Sequence, residues 1–211
     1  MTNVLILGAS GQIARHVIGF LHDHPSIRAT LFLRDAGKLG DLDVSGMRVI
    51  EGDVADRAAL AEAMAGQDIV YANLAGPVDA LARTIVEVME ETGVKRLIFI
   101  TTLGIYDEVP GAFGAWNNAM IGEDIPPYRR AADLIEESGL DYTIVRPAWL
   151  TDADEVSYET TQKGEAFKGT EVSRRSVAAF VVSVLENPTL ASRGSVGVDK
   201  PGTEGDKPAF Y

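Results

Sequence analysis

Cysteine is absent from the 211-residue chain, which excludes a disulfide framework, a thiolate nucleophile and a thiolate metal site. Basic residues are scarce, with 19 Lys and Arg against 31 Asp and Glu, a formal balance of −12. A surface of that sign repels phosphate backbones and anionic lipid, so it argues against nucleic-acid partners and a membrane-surface role. Long apolar runs are missing as well. The first, Val4-Leu5-Ile6-Leu7, stops at Gly8 with no basic region before it, far short of a signal peptide or a membrane span. What the chain does have is 46% hydrophobic residues, too many for a disordered polymer. Composition therefore predicts one acidic, cytoplasmic domain over 1–211.

Short apolar runs alternate with helix-period stretches. Val4 to Leu7, Ala29 to Leu33, Met47 to Ile50, Ile69 to Tyr71, Leu97 to Ile100 and Tyr142 to Val145 read as six strands. The first lacks alternation, as in a strand covered on both faces. Ile13, Val17, Phe20 and Leu21 share one helix face that Pro25 closes, and Val177, Phe180, Val181, Val184 and Leu185 another, with Ser173 as N-cap. Ser195 to Val198 reads as an edge strand. From Asp107 to Pro127 no period is sustained, and residues 107–127 are expected to form a long loop covering a pocket. Strands alternating with helices imply right-handed βαβ units. The fold class is thus α/β with a parallel sheet. Its ligands belong outside the carboxyl ends of the strands.

Gly8-Ala9-Ser10-Gly11-Gln12-Ile13-Ala14 joins the first strand to the first helix. Gly8 permits the sharp turn, Gly11 lets backbone approach a pyrophosphate, and Ala14 allows close helix–strand packing. Ser10 sits in the phosphate turn, and the amides of Gln12 and Ile13 point from the helix N-terminus at phosphate oxygens. Between a buried-type strand and an amphipathic helix, this spacing predicts dinucleotide binding. No phosphate loop of the triphosphatase type is present.

From here the chain resembles the short-chain dehydrogenase/reductase superfamily, in its extended and atypical members. These include NmrA-like proteins and biliverdin-reductase-B-like flavin reductases. Gly8 to Ala14 looks like their phosphate loop, and Leu33-Arg34-Asp35 like the end of their second strand. Further matches are Glu51-Gly52-Asp53-Val54, Ala72-Asn73-Leu74-Ala75-Gly76, Thr101-Thr102-Leu103-Gly104-Ile105-Tyr106 and Ser138 to Pro147. The resemblance implies that Asp53, with Val54, receives the adenine, and that Asn73, Leu74 and Ala75 pass the ribose. It places Thr101 and Thr102 in a Ser/Thr-rich turn and sets Pro147 beside the nicotinamide. The fold it implies is a single-domain Rossmann fold whose doubly wound parallel sheet has order 3-2-1-4-5-6-7.

The pattern breaks at the catalytic pair. Reductases of this superfamily carry Tyr-x-x-x-Lys, whose cation lowers the phenol pKa. Here Tyr128-Arg129-Arg130-Ala131-Ala132 puts alanine in the Lys slot. Counted back from Ser138, Tyr128 falls in the Lys slot and Asp124 in the Tyr slot, so neither register restores the pair. Arg129 or Arg130 could supply the missing charge. Tyr128 and Thr102 are the candidate catalytic residues, Tyr128 orienting cofactor or substrate.

At the end of strand two, where NAD-specific proteins place an acid, stands Arg34, with Lys38 a turn further on. Both suit a 2′-phosphate, so the expected cofactor is NADP, with NAD the alternative that Asp35 would favour. Phe113, Trp116 and Trp149 are expected to line a pocket for a flat ring. The leading function is therefore hydride transfer from NAD(P)H to a flavin, quinone or similar aromatic acceptor. The alternative is a non-catalytic NAD(P)-binding redox sensor of NmrA-like type. No metal is expected, and monomer and dimer both remain open.

Overall fold

The computed structural model describes residues 1–211. Strands β1 (Thr2–Leu7), β2 (Ile27–Leu33), β3 (Arg48–Glu51), β4 (Ile69–Ala72), β5 (Arg96–Ile100), β6 (Asp141–Pro147), β8 (Glu159–Gln162) and β10 (Gly194–Asp199) form one sheet. Its order is β3-β2-β1-β4-β5-β6-β10-β8, all parallel except β8, which runs antiparallel to β10. The expected order is present with β10 as its seventh strand. Ser195 to Val198 is not an edge, however, because β8 pairs outside it. No apolar residue occurs in Glu159-Thr160-Thr161-Gln162, so that strand has no hydrophobic signal of its own. Two further three-residue strands, β7 (Trp149–Thr151) and β9 (Glu171–Ser173), make a small separate sheet.

The apolar run of β1 serves two cores at once, since successive side chains point to opposite faces. Val4 and Ile6 pack with α1 (Gln12–Leu21) and α6 (Arg174–Glu186), whereas Leu5 and Leu7 pack against α2 (Arg57–Met64), α3 (Val78–Thr92) and α5 (Ile125–Glu137). Ile13, Val17, Ile18 and Leu21 are the buried stripe of α1. Asp56 caps α2 and Ser173 caps α6, each accepting from first-turn amides. Crossovers on both faces reverse direction between β1 and β4, which opens a crevice at the carboxyl edge between them.

The segment expected as a loop over 107–127 is mostly helix: α4 (Gly111–Ile121) and then the start of α5. Its sequence hides this because the buried face of α4 is Phe113, Gly114 and Asn117, of which one is hydrophobic. A Cβ at 114 would lie 2.1 Å from the Val109 carbonyl oxygen, so glycine is what lets the helix settle on the preceding turn. That turn is anchored by Glu108. Its carboxylate accepts from the amides of Gly104 and Tyr106 and pairs with Arg146 of β6, both side chains being buried.

Candidate functional site

At the carboxyl ends of β1, β2 and β4 lies a cleft of about 340 Å³. Its wall contains Gly8, Ser10, Gly11, Arg34, Asp53, Val54, Asn73, Leu74 and Ala75, so nine residues singled out in the sequence come together there. Gly8 adopts φ +75°, and a Cβ on it would lie 2.2 Å from the Asn73 carbonyl oxygen. A Cβ on Gly11 would meet the Asn73 side-chain nitrogen at 2.2 Å. The turn is therefore glycine because β1 and β4 bring their loops into contact. Gly11 brings no capping side chain to α1, and the amides of Gln12 and Ile13 have no protein acceptor. Free donors at the positive end of a helix, beside a crevice, suit a diphosphate. The residues thus fit a dinucleotide. Gln12 and Ile13 contribute backbone only, since the Ile13 side chain is in the core.

The ribose end is shaped by a short turn after β2. Asp35 does not face the cleft: its carboxylate accepts from the Gly37 amide at 2.9 Å, capping a 3₁₀ turn over Ala36–Leu39. Arg15 of α1 holds the same turn by donating to the carbonyls of Lys38 and Leu39. Arg34 is left as the charged residue of β2's end in the cleft wall. Asp53 accepts from the Ala55 amide through one oxygen. Leu33 and Gly52, which stand inside the matched strings without a role of their own, complete the wall with Phe32, Ala55, Pro77 and Leu81, which sequence reading missed. Gly52 had a signal, since a Cβ there would strike the Phe32 ring at 2.5 Å; Pro77 and Leu81 had none.

A second cleft of about 360 Å³ opens past the carboxyl ends of β5 and β6, on the side of α6. Thr102, Leu103, Ile121, Trp149, Leu150, Arg174, Phe210 and Tyr211 line it. Trp149 meets Trp116 at 4.8 Å and Tyr211 at 5.2 Å between ring centroids. Of the three aromatics expected at a pocket, Trp149 is in the wall, Trp116 backs it, and Phe113 is buried behind, 6.2 Å from Trp116. Phe210 and Tyr211, from the polar tail, carried no periodic signal.

Other predicted positions fall outside both walls. Thr101 is buried and its hydroxyl donates to the Val145 carbonyl at 3.0 Å. Pro147 is buried at the end of β6. Tyr128 is half-buried in α5 against the α3 side of the core. Burial pushes its phenol up, and Asp124 adds to the rise. Neither neighbouring arginine opposes this. Arg129 binds Asp133 and the Ile105 carbonyl, and Arg130 binds Asp79. Both arginines that could have supplied the missing charge are thus engaged with other partners.

A Rossmann sheet with an uncapped helix at its switch point and a glycine-built crevice defines a dinucleotide-binding protein. The sequence model of the NAD(P)H-binding family matches residues 8–188, and the chain belongs to that family. It is similar over 100% of both chains to a Rossmann-fold NAD(P)-binding family protein from Shigella flexneri, with 49% identity and a TM-score of 0.86. A short-chain dehydrogenase/reductase of wide type from Veillonella parvula, solved in complex with NADP, is 29% identical with a TM-score of 0.90, over 99% of each chain. Among curated relatives, the NAD(P)H azoreductase of Xenophilus azovorans is 24% identical over 88% of this chain and 64% of its own length. These neighbours agree with the resemblance to atypical short-chain dehydrogenase/reductases.

Proposed function

We propose that the chain is an NADP(H)-dependent reductase that delivers hydride to a flat aromatic acceptor such as a quinone or flavin. The observation that carries this reading is the aromatic-walled cleft at Thr102, on the same sheet edge as the dinucleotide crevice. Parallel strands spaced ~4.8 Å apart put the ends of β2 and β5 on the order of 14 Å from each other. A cofactor lying across β1 and β4 from Arg34 would thus reach the second cleft. The bound cofactor supplies the hydride chemistry. Gly8, Ser10, Gly11 and the amides of Gln12 and Ile13 hold its diphosphate, and Asp53 and Val54 take the adenine. Asn73, Leu74 and Ala75 line the ribose path, while Thr101 and Pro147 shape the floor under the reacting ring. Thr102 faces the acceptor and can donate a hydrogen bond to it.

The NADP preference is supported by Arg34 in the wall and Asp35 turned into its own 3₁₀ turn. The azoreductase relative and the NADP-bound neighbour support the acceptor class and the cofactor. Reduction of a quinone to a hydroquinone consumes one hydride and one proton, and water can supply the proton. No lowered tyrosine pKa is then needed. No helix of the chain is long and apolar enough to cross a membrane, and the reading places the protein in the cytoplasm, where NADPH is supplied.

A second reading, a redox sensor that binds NAD(P) without turnover, is favoured by one observation: Tyr128 has no cation beside it and its phenol is pushed up. Spectrophotometric NADPH oxidation with a quinone, riboflavin and an azo dye separates the two. Steady turnover with at least one acceptor is expected. Saturable NADPH binding with none of the three reduced would leave the sensor.

A further inference from the structure

The second cleft has a charge that its apolar rings do not require. Arg174, the first residue of α6, is the one charged side chain in the wall and is 18% exposed. Its partner Asp152, at 2.7 Å, is 81% exposed and stands outside the wall. An ion pair with one solvated member is weak and readily exchanged. An anionic group entering the cleft can therefore replace Asp152 on the guanidinium, which matches the flat oxygens of a carboxylate or sulfonate with paired donors.

The indole of Trp149 is held in place before any ligand arrives. The indole N–H of Trp149 donates to the side-chain oxygen of Asn117 at 2.9 Å, and Asn117 is 1% exposed. Trp116 packs behind Trp149, and the Tyr211 ring meets it edge-on at 81°. An open cleft of about 360 Å³ with one preset indole wall suits a ligand of two or three fused rings. On a chain of net charge −12, one guanidinium inside such a cleft adds affinity for anions while leaving that for neutral rings as it was.

We propose that this cleft binds planar aromatic anions, with Arg174 setting the preference for negative charge. The proposal rests on the reductase reading for the identity of the bound molecule as an electron acceptor, while the binding itself is independent of turnover. Trp116 and Trp149 are the chain's two tryptophans, so intrinsic fluorescence reports on this cleft alone. The full chain without NADPH would be titrated with anthraquinone-2-sulfonate and with its neutral hydroxymethyl counterpart. The sulfonate should quench with ~10-fold higher affinity, the scale of a charge-assisted hydrogen bond. Arg174→Gln should bring the sulfonate to the level of the neutral compound and leave the neutral one unchanged, and Arg174→Lys should restore part of the gap. Equal affinities in the wild type, equal losses for both compounds in Arg174→Gln, or no saturable quenching would overturn the proposal. Selective binding of the sulfonate with no NADPH oxidation would uphold the site and sink the reductase reading instead.

Discussion

Arg34 and Asp35 are neighbours with opposite implications for the cofactor, and the sequence left both open. Their difference is local geometry: Asp35 caps its own turn and stands outside the cleft wall, whereas Arg34 is part of that wall. Arg34→Ala is accordingly expected to weaken NADPH binding by ~1.5–3 kcal/mol, as for a hydrogen bond to a charged group, and to leave NADH nearly unaffected. Isothermal titration with the two cofactors checks this; comparable losses for both would reverse the assignment. Tyr128 belongs to the same scale. A phenol raised by burial is a poor base at neutral pH, so Tyr128→Phe should slow quinone reduction less than about tenfold, against ~10² or more for an obligatory general acid. A loss of ~10³ in kcat would give this residue a proton-transfer role. Gly8 and Gly11 were legible because each is tied to backbone geometry, and Asn73 through the family resemblance alone. Pro77 and Leu81 were not, because lining a cleft demands no special residue type.

Among the elements, those with a strong period were read within a few residues, and those formed by tertiary contact were not. β1 and α1 announce themselves through apolar runs and stripes. α4 does not, because the neighbour it leans on is a carbonyl of its own approach segment, which asks for a glycine rather than a leucine. β8 is likewise specified by β10, not by itself. Where these two strands meet, Asp199 is buried, with one oxygen accepting from the Gly169 amide at 2.8 Å and the other unpartnered; the nearby Thr161 hydroxyl also lacks a partner. Burial raises the Asp199 carboxyl to about 6, with Glu159 and Glu204 adding to the rise while Gly169 and Lys168 oppose it. A carboxyl that titrates higher in the folded state than the unfolded 3.8 keeps its proton longest in the fold. Stability contributed here is therefore present below about pH 4 and is lost as pH rises to about 6. Asp199→Asn should raise the thermal midpoint above about pH 7 and flatten its fall between about pH 4 and 6. An unchanged slope in calorimetry across that window would remove Asp199 as its source.

For the molecule as a whole, the alternation of apolar runs and helical stripes was enough to give a parallel sheet and the edge on which a ligand sits, while its strand order came with the phosphate loop and the family resemblance. Each parallel crossover has one allowed hand, and the ligand crevice lies where the strand order reverses. Absent from the sequence was the closure of the far side, where β7, β8, β9 and the residues after Lys200 fold over the end of the sheet without a period of their own. The pairing of α1 with α6 has a consequence for how this chain comes into being. Helix α1 leaves the ribosome well before the α6 that covers it, with about 150 residues separating Leu21 from Arg174. At ~5–20 residues per second, the stripe Ile13, Val17, Ile18 and Leu21 waits on the order of 10–30 s for its partner. During that interval a nascent chain shows water an apolar face that the finished protein hides, and chaperone capture should be greatest before residues 174–186 emerge.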